Sequence, residues 1–387
     1  MKDLSNAIEK FMDETMESND LPGLAVGVSV GLDGTLPEGL FEFTGARGYR
    51  DFEARTPLQP DDIFHCASVS KLFTSSAIMK LVEAGVLGLY DRLCNVLPDF
   101  RFEGPGEDGN IGDWRFDEIR LWNMLTHTSG LGDCFDYEWA DAETDEESLA
   151  HYVYESDDCI RQPMLWCPQT GPEFYGLSDE EKSLFRYSNV AYEILGQIIA
   201  EYSDRMPGAS GPLSYEDFVA KYLLEPAGMS NSTMKTFERD GSDMACPHAK
   251  ADDRSIRRLE TYPYTRKHAP SSTLTSNASD LLKWGRAHMK SASERSVLLL
   301  QKETYDSVWR DYATVPNNGE KMGLGWFMRK QQGFALYGHE GTDDGFRASF
   351  WMCPELEMVT VVLANLSNAP VKMINKRLFE NMWRCLK

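Results

Sequence analysis

Leu4, Ile8, Phe11 and Met12 recur at helical spacing near the start of the chain, and that periodicity predicts an amphipathic helix. Pro22-Gly23 stands beyond its end. Residues 24–30 then read LAVGVSV, an apolar run that predicts a strand, and 41–48 predicts a second across a glycine-containing turn. From Ser68 the period changes: Val69, Leu72, Phe73, Ser76, Ile78, Leu81 and Val82 predict a buried helix ending near Gly85. The stretch 91–229 is rich in helical patterns and loops, with 104–114 and 133–158 reading as surface excursions. A further helix is expected over 278–289. Aromatic and β-branched residues return in 325–328, 333–337, 346–352 and 358–363, which predict strands, and a last helix is expected over 371–385.

Strands at both ends and helices between them predict an α+β fold. The expected architecture is an antiparallel β-sheet flanked by N- and C-terminal helices, with an inserted all-helical region. The boundaries that follow are a discontinuous sheet domain of residues 1–66 and 265–387 and a mainly helical domain of 67–264. A site in the cleft between them is the natural expectation.

Charge narrows the function classes. The 387 residues carry a formal net charge of −22, which disfavours nucleic acid and anionic membrane surfaces as partners. Eleven acidic residues fall within 133–158, and no Lys or Arg occurs from 133 to 160. The opening MKDLSNAIEKFMDETMES has charges throughout and no apolar core of a signal peptide, and no apolar run is long enough to span a membrane. The eight cysteines form no CxxC pair and the seven histidines no HxH or HExxH. The expectation is a cytoplasmic protein with reduced thiols, no disulfide scaffold, no metal and no cofactor.

Three short constellations carry candidate chemistry. Ser68-Val69-Ser70-Lys71 is an S-x-x-K; residues three apart on a helix share a face, so the Lys71 amine can lie beside the Ser68 hydroxyl. A serine is a weak nucleophile until a neighbour takes its proton, and burial suits lysine to that task by disfavouring the ammonium. The motif alone is common by chance. Tyr187-Ser188-Asn189 precedes the apolar helix pattern of 190–195; a phenol can relay a proton and a carboxamide can donate and accept, although Asn189 also reads as a helix N-cap. Gly338-His339-Glu340-Gly341-Thr342 leads toward a strand, and its glycines allow close backbone approach to a substrate.

In this order the three resemble the motifs of the serine β-lactamase family, class C-like branch, whose relatives include penicillin-binding proteins, D-aminopeptidases and esterases. The family pattern is S-x-x-K, Y-x-N, then K-T-G or H-x-G. Leu125-Thr126-His127-Thr128-Ser129-Gly130-Leu131, the segment beginning Leu21-Pro22-Gly23, and Glu225-Pro226-Ala227-Gly228-Met229 are similar to further family segments. The resemblance covers nearly the whole chain. It implies an acyl-enzyme on Ser68, with Lys71 and Tyr187 as the general base. It also implies an oxyanion hole from the N–H groups of Ser68 and Thr342, and substrate contacts from Asn189, His339, Gly341 and Thr342. His127 is implied to shape a turn near the cleft.

Histidine replaces the lysine of K-T-G, which removes a fixed charge for a substrate carboxylate. The segment 166–184 reads as an insertion, and Arg347 is a candidate replacement charge or an ion-pair partner. The expected function is a serine hydrolase acting as an esterase or amidase on small neutral or cationic molecules. D-aminopeptidase or DD-peptidase/β-lactamase activity is the alternative, and a non-catalytic penicillin-recognising protein is the other.

Overall fold

The computed structural model describes residues 2–32, 39–103, 114–133, 148–162, 185–296 and 298–387. Residues 104–113, the acidic stretch from 134 to 147 and the segment 166–184 lie outside the described residues.

Nine strands form one antiparallel sheet. They are β1 (Gly23–Val30), β2 (Phe41–Asp51), β3 (Thr56–Pro57), β4 (Ala313–Thr314), β5 (Lys321–Met322), β6 (Phe327–Gln331), β7 (Phe334–Asp343), β8 (Phe346–Cys353) and β9 (Met358–Ala364). Their order is β3-β2-β1-β9-β8-β7-β6-β5-β4. The N-terminal strand β1 pairs with β2 on one side and C-terminal β9 on the other, with Val26 opposite both Gly45 and Val362.

All eight residues of β1 are buried, because both faces of the sheet are covered. Leu24, Val26, Val28 and Val30 meet Ile8, Phe11 and Met12 of α1 (Lys2–Asn19) and Leu378, Phe379 and Met382 of α5 (Val371–Cys385). On the opposite face Ala25 packs with Leu281 and Leu282 of α4 (Ala278–Ala292). Gly27 shares that face; a Cβ there would stand 3.2 Å from Ala278 and Leu282, so its missing side chain sets how closely α4 approaches.

Beyond α4 lie the central helices α2 (Ser70–Glu83) and α3 (Asn189–Tyr202), each buried around most of its circumference; in α2 the buried positions include Ser70, Lys71, Thr74, Ser75 and Ser76. Phe73 of α2 stacks on Trp284 of α4 at 4.0 Å and ties the helical layer to the sheet layer. Among the described residues no helix is long and apolar enough to cross a membrane.

Three local expectations change. The helix expected from Ser68 begins at Ser70, after a 3-10 turn over Ala67–Val69. The strand expected at 325–328 starts at Phe327, because Gly325 is left-handed (φ 80°), where a Cβ would fall 2.4 Å from Ser75. A short ribbon, His248–Lys250 with Ile256–Arg258, lies within the range read as mainly helical.

Candidate active site

Ser68 sits on a fixed turn. The residue before it, buried Ala67, adopts the left-handed region (φ 47°), which costs a non-glycine residue on the order of 1 kcal/mol. Neighbours impose it. The Cys66 N–H donates to the Leu274 carbonyl at 2.8 Å. The Ser70 hydroxyl donates to Ala67 O at 2.7 Å and accepts the Leu274 N–H at 2.8 Å. The turn leaves Ser68 half-buried among buried neighbours, at the N-terminal end of α2.

Lys71, the second residue of α2, is fully buried. Its Nζ has three oxygen neighbours at hydrogen-bond distance: Ser68 Oγ at 3.1 Å, Asn189 Oδ1 at 2.6 Å and the Ser271 carbonyl at 2.9 Å. It also lies 4.9 Å from the centre of the Tyr187 ring. Burial brings the amine down from 10.5 to about 8, while Glu193, Asp133 and Asp343 hold it against a further fall.

Tyr187 and Asn189 are placed by the 125–131 segment. Left-handed His127 (φ 56°) accepts the Ser188 N–H on Nδ1 at 3.2 Å, and its carbonyl accepts the Arg186 N–H at 2.8 Å. The His127 ring stacks on Tyr187 at 4.3 Å. Burial, then Lys71 and His339, hold this imidazole well below its ordinary value, so it is neutral. Ser188, not Asn189, caps α3, accepting the Ala191 N–H at 3.2 Å. Asn189 is free to turn inward, where Asp133 accepts its N–H at 2.7 Å and its Nδ2 at 3.0 Å. Burial raises the Tyr187 phenol well above its ordinary value, against a lowering contact from Ser68, so it stays protonated.

The third motif lies on β7. Strand β6 pairs with β7 only as far as Gly338, while β8 follows it to Asp343. The edge of 339–343 is therefore open toward the Ser68 turn. Gly341 makes that approach possible, since a Cβ would fall 2.2 Å from the Cys66 carbonyl. His339 is 2% exposed; burial, then Lys71, bring it down to about 3. Its Nδ1 lies 2.6 Å from the Glu340 carbonyl. A carbonyl only accepts, so Nδ1 carries the hydrogen and Nε2 of the neutral ring is an acceptor. Glu340 accepts the Trp351 indole N–H at 2.8 Å, and burial raises its carboxyl. Arg347 donates to the Asp343 and Phe346 carbonyls at 2.6 and 2.7 Å and so braces the β7–β8 turn.

A cleft of about 540 Å³ joins these groups: Ser68, Tyr187, Asn189, His339 and Thr342 line it, with Lys71 beneath Ser68 and Gly341 at the strand edge. Several participants carry no motif. Asp133 holds Asn189, and the only sequence signal for it is its place at the head of the acidic stretch. Ser271 supplies an acceptor for Lys71 and donates its hydroxyl to buried Glu193, which also contacts His268 at 3.0 Å. Asp343, just past the third motif, lines the cleft with Ser272. Among the described residues no cluster of three or more His, Cys, Asp or Glu is arranged to hold a metal ion.

Comparison with known proteins gives the family and the fold. The chain is 23% identical to Protein flp of Staphylococcus aureus (strain N315) over 97% of its own length, and spans 66% of that protein. It resembles an octameric penicillin-binding protein homologue from Pyrococcus abyssi at a TM-score of 0.73 and 25% identity, covering 98% of this chain and 77% of that one. It shares the fold of the D-amino acid amidase from Ochrobactrum anthropi SV3, crystallised with L-phenylalanine amide, at a TM-score of 0.76 and 18% identity over 100% of both chains. The Beta-lactamase family model matches residues 8–380, and the chain belongs to that family.

Proposed function

We propose that this protein is a serine hydrolase that cleaves small esters or amides through an acyl-enzyme on Ser68. The observation that carries the reading is the Lys71 amine, fully buried, 3.1 Å from Ser68 Oγ and brought down to about 8. A neutral amine there takes the hydroxyl proton as the Oγ–carbon bond forms. The Ser68 and Thr342 N–H groups hold the resulting oxyanion. Tyr187, protonated, gives its proton to the departing nitrogen or oxygen as that bond breaks, and the proton on Lys71 replaces it. Water then attacks the acyl-enzyme by the reverse relay and frees the acid. Asn189 fixes Lys71 and offers its amide to the substrate.

The seam between 1–66 with 265–387 and 67–264 is where this cleft would lie. Ser68, Lys71, Tyr187 and Asn189 come from the middle of the chain, and His339, Gly341 and Thr342 from β7. A neutral His339 gives a leaving-group carboxylate no cation, which favours esters and amides over β-lactams and peptide C-termini.

The test is Ser68→Ala. Turnover of p-nitrophenyl acetate should fall by about a thousandfold or more, and fluorophosphonate labelling should disappear. A variant that keeps its activity and becomes labelled at another serine refutes the assignment. Nitrocefin turned over efficiently, with no turnover of short p-nitrophenyl esters, refutes the substrate class.

A further inference from the structure

Asp343 ends β7 and lines the cleft that holds Ser68. Its Oδ2 accepts from Nε2 of fully buried His65 at 2.7 Å and from the Ser272 hydroxyl. Those two donors fix the side chain. It is 10% exposed, and among the described residues Oδ1 accepts no hydrogen bond and no Lys or Arg reaches the carboxylate at ion-pair distance. The other charged groups on the cleft wall have partners. Lys372 pairs with Glu320 at 2.8 Å, and Glu340 has Trp351 at 2.8 Å with Arg329 at 3.7 Å. Arg347 is engaged by main-chain carbonyls, and Lys71 is enclosed by Asn189, Ser271 and Ser68.

Position along β7 gives the cleft a direction. Asp343 directly follows Thr342, the proposed oxyanion donor. A substituent on the carbon beside the scissile carbonyl therefore falls next to Asp343. His339 lies on the same face of the strand about 13 Å back, with its ring 6.2 Å from Tyr187, the proposed proton donor to the leaving group. Its buried Nε2 has no hydrogen-bond partner and is an acceptor. One end thus offers an anion beside the acyl carbon, and the other an uncharged acceptor beside the leaving group.

We propose that Asp343 binds the protonated α-amino group of the substrate, so that amides and esters of free amino acids are the preferred substrates. The proposal rests on Ser68 being the nucleophile. A substrate without the ammonium leaves a desolvated carboxylate oxygen unpaired, and sites built this way discriminate strongly. His339 Nε2 accepts an N–H of the leaving amide.

The test compares kcat/KM for phenylalanine amide, each enantiomer separately, with that for 3-phenylpropionamide and N-acetylphenylalanine amide. The wild-type protein should prefer the free amine, for at least one enantiomer, by about a hundredfold or more. Asp343→Asn should cut that ratio to about tenfold or less. Should the variant fail to fold, inhibition of the wild type by 2-phenylethylamine against N-acetyl-2-phenylethylamine decides: only the amine should compete. A wild-type enzyme that hydrolyses p-nitrophenyl acetate through Ser68 but shows a ratio near one for both enantiomers overturns the Asp343 assignment and leaves the hydrolase standing. Absence of any Ser68-dependent turnover overturns both.

Discussion

Lys71 is the residue on which the chemistry turns, and its environment fixes a pH dependence. Burial removes the water that stabilises an ammonium, so the group titrates near 8 instead of 10.5. Acylation uses the neutral amine. kcat/KM for p-nitrophenyl acetate should therefore rise with pH and level off above about 8. A rise centred at the ordinary imidazole value of 6.5 would assign the base to a histidine instead, against the neutral state that burial imposes on both His127 and His339. Ser68 and Lys71 were legible in the sequence because helical geometry alone brings residues three apart together. Asp133, Ser271, Ser272 and Asp343 were not. Each reaches the site from a distant loop or strand end, and folding creates its contacts.

At the scale of elements, β7 shows what residue patterns miss. The aromatic run of 333–337 predicts a strand that stops before Gly338, since glycine reads as a break. The strand continues to Asp343, because its glycines serve close packing: a Cβ at Gly338 would press on the Phe350 carbonyl, and one at Gly341 on that of Cys66. Gly341→Ala must push β7 away from the turn that carries Ser68. Displacements near 1 Å cost about a hundredfold in rate, so kcat/KM should drop on that scale while the far-UV circular dichroism spectrum is retained. Full activity in this variant would show that β7 does not set the cleft width. The helices at 278–292 and 371–385 were readable for the opposite reason: long amphipathic segments repeat their signal over several turns. The ribbon at 248–258 has three-residue strands, too short to show a period.

Across the whole molecule, one buried cluster includes Ala25, Val359 and Val361 of the sheet together with Phe73, Ile78, Leu195 and Ile198 of the central helices. The two layers that bound the cleft share this core, so they should unfold together. Calorimetry is expected to give a single transition, and two resolved peaks would mean that the layers are stable independently. That both termini build one sheet was visible in the sequence, because strand-like runs occur only near the two ends. The sheet's own boundary carries a last consequence. An open sheet has two edges, and here they are β3 and β4, stubs of two residues each, one containing Pro57, which lacks an N–H. β3 pairs with β2 only at Tyr49 and Asp51, so among the described residues the outer edge of 41–48 meets no further strand, and a strand arriving from another molecule would extend the ladder along that stretch of β2 instead of at the stubs.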